Sequence, residues 1–170
     1  MTEHSAPGEA VFFKWSPDFS VNIKTIDSQH QELINLVNGI FLAATALEKV
    51  NVIASMLEAL KSYTQTHFDL EERLMQQAHY PDFEAHKLEH KKLLEQLDQV
   101  CKKHLLEEKP VYFETLRFLK TWLKDHFTGL DSKYSSVLHE TGFPLAEWEK
   151  EAAAEFAVMV EKTGRWWRIW

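Results

Sequence analysis

Only one cysteine occurs in the 170 residues, Cys101, so no disulfide can form within the chain. The stretch Met1 to Ala10 has neither the basic segment nor the apolar segment that a secretory signal requires. Together these absences predict a reducing, cytoplasmic setting. No apolar run approaches the ~20 residues that a membrane-spanning helix needs, which predicts no membrane span. Basic runs are missing as well, and a formal net charge of -7 argues against nucleic acid or an anionic membrane surface as the main partner. Low-complexity tracts are absent. With 45% hydrophobic residues, the chain suits one domain with a substantial core.

Histidine is what the chain has in excess. Nine occur, and five of them share apolar stripes with Leu, Ile, Val and Phe. Residues 1–14 read as an extended N-terminal arm, ordered near Phe12, Phe13 and Trp15. The segment Trp15 to Ile26, with Ser16-Pro17-Asp18, reads as a packed connector. Asp27 then offers the N-cap of a first helix over about 28–47, with His30, Leu33, Ile34, Val37, Ile40, Phe41 and Ala44 on one face. A second helix, capped by Asn51, turns Ile53, Leu57, Leu60, Tyr63, His67, Leu70, Glu71 and Leu74 inward. A third, over about 82–104, buries Phe83, His86, His90, Leu93, Leu97 and either Val100 or Cys101. Pro110 suits the first turn of a fourth, whose inner side carries Leu116, Leu119, Leu123, His126, Leu130 and Tyr134.

Four amphipathic helices with short links predict an all-α, up-down-up-down four-helix bundle over residues 15–140. Thr141-Gly142-Phe143-Pro144 breaks the fourth helix. An added C-terminal helix from Leu145 to Lys162 follows, inside an extension over 141–170, with Trp148, Ala152, Phe156 and Met159 on its stripe and Gly164 as its stop. So much contiguous apolar surface predicts that the extension folds back onto the bundle or onto a second copy of it.

Imidazoles and carboxylates converging in a bundle core suggest a metal site. Residues four apart on a helix differ by about 40° in direction, so His67 with Glu71, and His86 with His90, can each point at one centre. His126 and Asp131 are five apart, which opens the angle to roughly 140° in a regular helix. Their convergence needs either a π-type bulge, for which Gly129 is permissive, or a centre wide enough to be reached from two sides. A dinuclear centre is that wide. Five imidazoles, two bridging carboxylates and a bridging oxygen fill all but one coordination position of an octahedral iron pair. Oxidation of such a pair can be balanced by the bridge proton moving to the oxygen ligand, so the buried net charge need not change. A zinc pair would draw on the same residue types, but this donor set suits octahedral iron better than tetrahedral zinc.

At Asp27-Ser28-Gln29-His30, His67-Phe68-Asp69-Leu70-Glu71-Glu72, His86-Lys87-Leu88-Glu89-His90 and Trp122-Leu123-Lys124-Asp125-His126, followed by Asp131 and Tyr134, the sequence resembles the hemerythrin family. The likeness is to the bacterial single-domain hemerythrins (bacteriohemerythrins) and covers roughly residues 12–138. It implies two non-haem iron ions with an oxo or hydroxo bridge. His86, His90 and His126 would hold one iron, and His30 and His67 the other, with Glu71 and Asp131 bridging. It also implies an oxygen pocket lined by Phe68, Trp122 and Leu123. The expected function is reversible dioxygen binding for carriage, storage or delivery to an oxygen-using enzyme. The alternative is an oxygen or redox sensor that reports to a signalling partner through the C-terminal extension. An enzyme is not expected, because oxygen-activating di-iron bundles use paired Glu-x-x-His motifs and none falls at the inward positions. His4, His79, His104 and His139 stand outside the set, in tails, links or off the inner stripe.

Overall fold

A computed structural model describes residues 11–107 and 112–163. Among these residues there are helices and turns but no strands. After a 3-10 turn, Pro17–Phe19, come α1 (Lys24–Thr45), α2 (Val50–Gln77), α3 (Phe83–Glu107), α4 (Tyr112–His126), α5 (Ser132–Thr141) and α6 (Leu145–Thr163). A π-helical turn, Phe127–Asp131, joins α4 to α5 without interruption, so the two together form the fourth helix of the bundle. Helix α2 packs against α1 and α3, and α1 against α4, which gives the expected up-down-up-down arrangement. None of the described helices is long and apolar enough to cross a membrane.

Helix starts differ from the sequence expectation at two places. Helix α1 begins at Lys24, after an extended Ile23 without a side-chain cap. Asp27 lies in its first turn instead, where its carboxylate accepts hydrogen bonds from Ser20 Oγ at 2.6 Å and from the Val21 amide at 2.8 Å. Its capping capacity is used to fold the connector onto the helix rather than to start the helix. Likewise α2 follows Lys49 directly, before Asn51. Leu47 adopts a left-handed φ of 55°, and the Glu48 amide bonds back to the Ala43 carbonyl at 3.0 Å. That tight reversal sets the start of α2 one residue ahead of the expected cap. Pro110, expected in the first turn of the fourth helix, lies outside the described residues.

His79 closes α2 in the same way. Its φ is 52°, and the following Tyr80 amide bonds to the Met75 carbonyl at 2.9 Å. His104, expected off the inner stripe, is buried, and its Nε2 lies 2.9 Å from the Val50 carbonyl oxygen, tying the end of α3 to the start of α2. Cys101 rather than Val100 takes the buried position in α3.

Two apolar clusters fill the interior. One runs from Phe13 and Phe19 through Leu33, Leu57, Leu60, Leu93, Leu97 and Leu116 to Phe127. The other joins Val21, Ile23, Ile26, Leu70, Leu74, Met75, Tyr134 and Leu138 to Trp148 and Ala152 of α6. Between them, on every bundle helix, sits a layer of buried polar side chains that includes Gln29, His30, His67, Glu71, His86, His90, His126 and Asp131. The connector is fixed by Asn38, whose side chain exchanges two 2.8 Å bonds with the Phe13 backbone.

Helix α6 folds back onto its own bundle. Gly142, at φ 70°, ends α5 and reverses the chain. Trp148 and Ala152 are then buried in the second cluster, and the Phe156 ring meets Tyr63 edge-on at 6.1 Å. Polar contacts accompany these: the Thr25 amide donates to Glu149 Oε1 at 3.3 Å, and Arg73 pairs with Glu155 at 2.7 Å. The Met159 side chain and residues beyond Thr163, including Gly164, lie outside the described parts.

Candidate metal centre

All seven residues expected as ligands converge on the polar layer, and all are buried. Helix α1 presents His30, α2 presents His67 and Glu71 one turn apart, α3 presents His86 and His90 one turn apart, and α4 ends on His126. Asp131 closes the π turn. The Ser132 amide reaches back to the Phe127 carbonyl, an i to i+5 bond that inserts a residue and widens the turn. This rotates Asp131 onto the inner face beside His126. For the same reason Leu130, expected inward, is only half-buried.

Two groups of donor atoms result, each gathered within 4.8 Å: Glu71, His86, His90, His126 and Asp131 form one, and His30, His67 and Glu71 the other. In the first, His126 Nε2 lies 3.2 Å from His86 Nε2 and 3.1 Å from His90 Nε2. Two nitrogens each ~2.1 Å from one ion at a right angle stand about 3.0 Å apart, so this spacing suits a shared ion. The carboxylates span the groups. Asp131 Oδ1 faces His126 at 3.0 Å and His86 at 3.2 Å, while its Oδ2 faces His30 at 3.4 Å. Glu71 Oε2 lies 3.5 Å from both His67 Nε2 and His90 Nε2, and its Oε1 lies 3.8 Å from His30 Nε2.

Left to itself this arrangement is electrostatically incomplete. His30 Nε2, His67 Nε2, Glu71 Oε2 and both Asp131 carboxylate oxygens are buried without a hydrogen-bond partner. Each such group carries a desolvation cost that a coordinated cation would offset. The titration behaviour has the same origin. Burial opposes charge on His30, yet Asp131 and Glu71 outweigh it and raise that imidazole to about 9. Burial also opposes charge on His90, which Glu71 and Glu72 raise to about 9. Burial dominates at His67, pushed down to about 3, and lowers His126 too. Burial works to raise Glu71 and Asp131, but the surrounding imidazoles hold both well below the usual carboxylate range. Without an ion, protons on His30 and His90 balance the two ionised carboxylates; divalent ions on this nitrogen and oxygen donor set would displace those protons and take over that role.

Two of the apolar residues expected around the centre, Phe68 and Trp122, stack on its imidazoles. Phe68 stacks on His90 with ring centroids 3.6 Å apart, and Trp122 stacks on His126 at 4.3 Å. Phe68 and Trp122 face each other at 6.1 Å, and Leu123 is buried in the adjoining cluster. Sequence reasoning gave no role to four further residues that touch the centre. Phe127 stacks on His30 at 3.8 Å. Tyr134 Oη donates to Glu71 Oε1 at 2.6 Å, and burial together with the Glu71 charge keeps that phenol protonated. Gln29 and Glu72 back His67 and His90. Gln29, Glu72 and Phe127 are each the immediate sequence neighbour of a ligand candidate, and Tyr134 follows Asp131 by one helical turn. That adjacency was the available signal.

Residues 21–138 match the family model of the hemerythrin HHE cation binding domain. Bacteriohemerythrin of Methylococcus capsulatus is 35% identical over 121 residues, covering 71% of this chain and 92% of that protein. A hemerythrin-like protein of Naegleria gruberi is 31% identical over 126 residues, covering 74% of this chain and 93% of its own length. A crystal structure of wild-type hemerythrin superposes with a TM-score of 0.68 at 35% identity, over 75% of this chain and 98% of that one. The matched span contains every residue of the buried histidine and carboxylate layer, with its helices in the same bundle, and on this ground the chain belongs to the hemerythrin family.

Proposed function

We propose that the chain binds dioxygen reversibly at a pair of non-haem irons with an oxo or hydroxo bridge, as a carrier or store that delivers oxygen to an oxygen-using enzyme. The observation that carries this reading is the division of labour at Asp131, whose two oxygens face different imidazole groups 3.0–3.4 Å away. A mononuclear site has no use for that division. In this reading His86, His90 and His126 would hold one iron and His30 and His67 the other, and Glu71 and Asp131 would be shared between them. When bound, the iron pair would lend dioxygen two electrons and recover them on its release.

The protein's own residues supply the conditions. Tyr134 orients Glu71 by donating to its Oε1, which leaves Oε2 toward His67 and His90. Phe68 and Trp122 put apolar surface against His90 and His126, and with the buried Leu123 they would hinder water from entering. The domain division that accompanies this reading is an arm over 1–14, the di-iron bundle over 15–140 and a helical extension over 141–170. A sensor role for that extension is less well supported, because Trp148 and Ala152 are already buried against the chain's own bundle.

The test is an absorption spectrum of anaerobically reduced, iron-loaded protein before air, after air and after oxygen removal. Full recovery of the reduced spectrum over repeated cycles, with about two irons per chain, supports carriage. Consumption of oxygen without recovery would replace it with an enzymatic reading, and a single metal or zinc would overturn the ligand assignment.

A further inference from the structure

Two of the imidazoles are held from behind, by groups of unequal charge. His67 Nδ1 lies 2.9 Å from Gln29 Oε1, and His90 Nδ1 lies 3.1 Å from Glu72 Oε1. An amide oxygen and a carboxylate oxygen only accept, so both imidazoles donate from Nδ1, and Nε2 is the nitrogen available to hold an ion. In both, Nε2 is the atom that faces the centre, 3.5 Å from Glu71 Oε2. Gln29 is wholly buried and neutral. Glu72 sits at the edge of the layer, 17% exposed, with its other oxygen 3.4 Å from Lys87 Nζ.

The difference has a chemical consequence. An imidazole whose N–H is drawn toward a carboxylate becomes a more basic donor at its other nitrogen than one bonded to a neutral amide. A more basic donor better stabilises the higher charge of an oxidised ion. We propose that Gln29 and Glu72 are positioning residues that fix the tautomers of His67 and His90 and set them at unequal donor strength. The half of the centre served by His90 would then be the electron-rich one, and the half served by His67 the stronger Lewis acid. This inference rests on the ligand reading above.

The experiment uses the full-length iron-loaded protein and two swaps that keep side-chain size, Gln29→Glu and Glu72→Gln. Three quantities are read: iron content, the ratio of diferric to diferrous protein at a fixed solution potential, and the dissociation constant of azide from the diferric form. Gln29→Glu adds a carboxylate behind His67, so the diferric fraction should rise and azide should bind more weakly. Glu72→Gln removes one behind His90 and should lower the diferric fraction; each effect should be roughly tenfold. Opposite shifts with two irons retained support the proposal, since a purely structural role predicts loss of metal or stability in both and no change of sign. Two irons retained with no shift, or with shifts in one direction, overturns it and leaves the ligand reading intact. If Gln29→Glu does not hold iron, Glu72→Gln decides alone: a lowered diferric fraction supports the proposal, and an unchanged or raised one overturns it. Failure of the unsubstituted protein to hold two irons would overturn the ligand reading and this inference together.

Discussion

Replacing Trp148 with Ala tests how far the C-terminal helix belongs to the fold. Its indole is 7% exposed, packed among Leu70, Leu74, Met75, Tyr80, Tyr134 and Leu138. A buried aromatic of this kind removes ~150–250 Å² from water, which at ~25 cal/mol per Å² corresponds to about 4–6 kcal/mol. An extended-chain reference overstates that gain, and measured Trp or Phe to Ala losses of about 3–5 kcal/mol are the better guide. For a chain of this size each kcal/mol moves Tm by about 2–4 °C, so the expected drop is roughly 10 °C. The assay is thermal unfolding followed by helical circular dichroism, beside Leu88→Ala as a control. Leu88 is 51% exposed, and its truncation should stay within about 0.5 kcal/mol. Trp148 belongs to an apolar cluster whose members include none of the seven ligand candidates, so iron content should be unchanged. A Trp148→Ala protein that melts with the Leu88→Ala control would refute the docking of α6 and with it the account of the second cluster.

Tyr134→Phe keeps the ring but removes the 2.6 Å bond to Glu71; hydrogen bonds to charged groups contribute about 1.5–3 kcal/mol, so a chelator should strip iron about tenfold faster, and an unchanged stripping rate would count against this role for the phenol. Leu123→Ala should cost about 2–5 kcal/mol through the cavity it leaves and should speed conversion of the oxygenated protein to the ferric form, while an unaltered conversion rate removes Leu123 from the pocket. Burial, with the Glu58 carboxylate alongside, pushes the Cys101 thiol up to about 12. At pH 8 a thiol reagent should therefore label the native chain at least about a thousandfold more slowly than the unfolded one, and native labelling within tenfold of it would contradict the burial. The unfolded thiol ionises near ~8.5 and the folded one near 12, so this group's contribution to stability is whole below the first value and is lost as pH rises toward the second.

The bundle and its metal layer were legible because one signal carries both. A three-and-four apolar period defines each inner face, and a histidine or carboxylate on that period must be buried whatever its chemistry. His67 with Glu71 and His86 with His90 needed nothing more than helical geometry to be paired. Helix starts were less legible, since Asp27 and Asn51 are good caps by local rules, whereas left-handed residues and a hydrogen bond to Ser20 decide the chain path. His104 shows the same limit: its burial follows from a contact with Val50, fifty-four positions away, that no local pattern encodes. Gln29 and Glu72 lie inside the motifs around His30 and Glu71, but their roles depend on which imidazole each one meets across a helix interface.

The π turn offers the sharpest test of what the local sequence contributes at the centre. In a regular helix His126 and Asp131 diverge by roughly 140°, and the wider turn is what brings Asp131 Oδ1 to 3.0 Å from His126 Nε2. Gly129 lies inside that turn, and one reading makes its freedom the cause of the bulge. The structure favours another. Gly129 does not adopt a left-handed φ, and a Cβ built on it meets nothing within 4 Å, so no steric demand for glycine exists there. What holds the turn is its two ends: the Ser132 amide bonded to the Phe127 carbonyl, and Asp131 drawn into the ionised layer. Gly129→Ala should therefore keep two irons per chain and gain about 0.4–1 kcal/mol through the smaller entropy of the unfolded chain. The checks are iron content and Tm on the same preparation. Loss of iron with the helices otherwise intact would mean that the turn relaxes to a regular helix once glycine is gone, and the tertiary account of the bulge would fail.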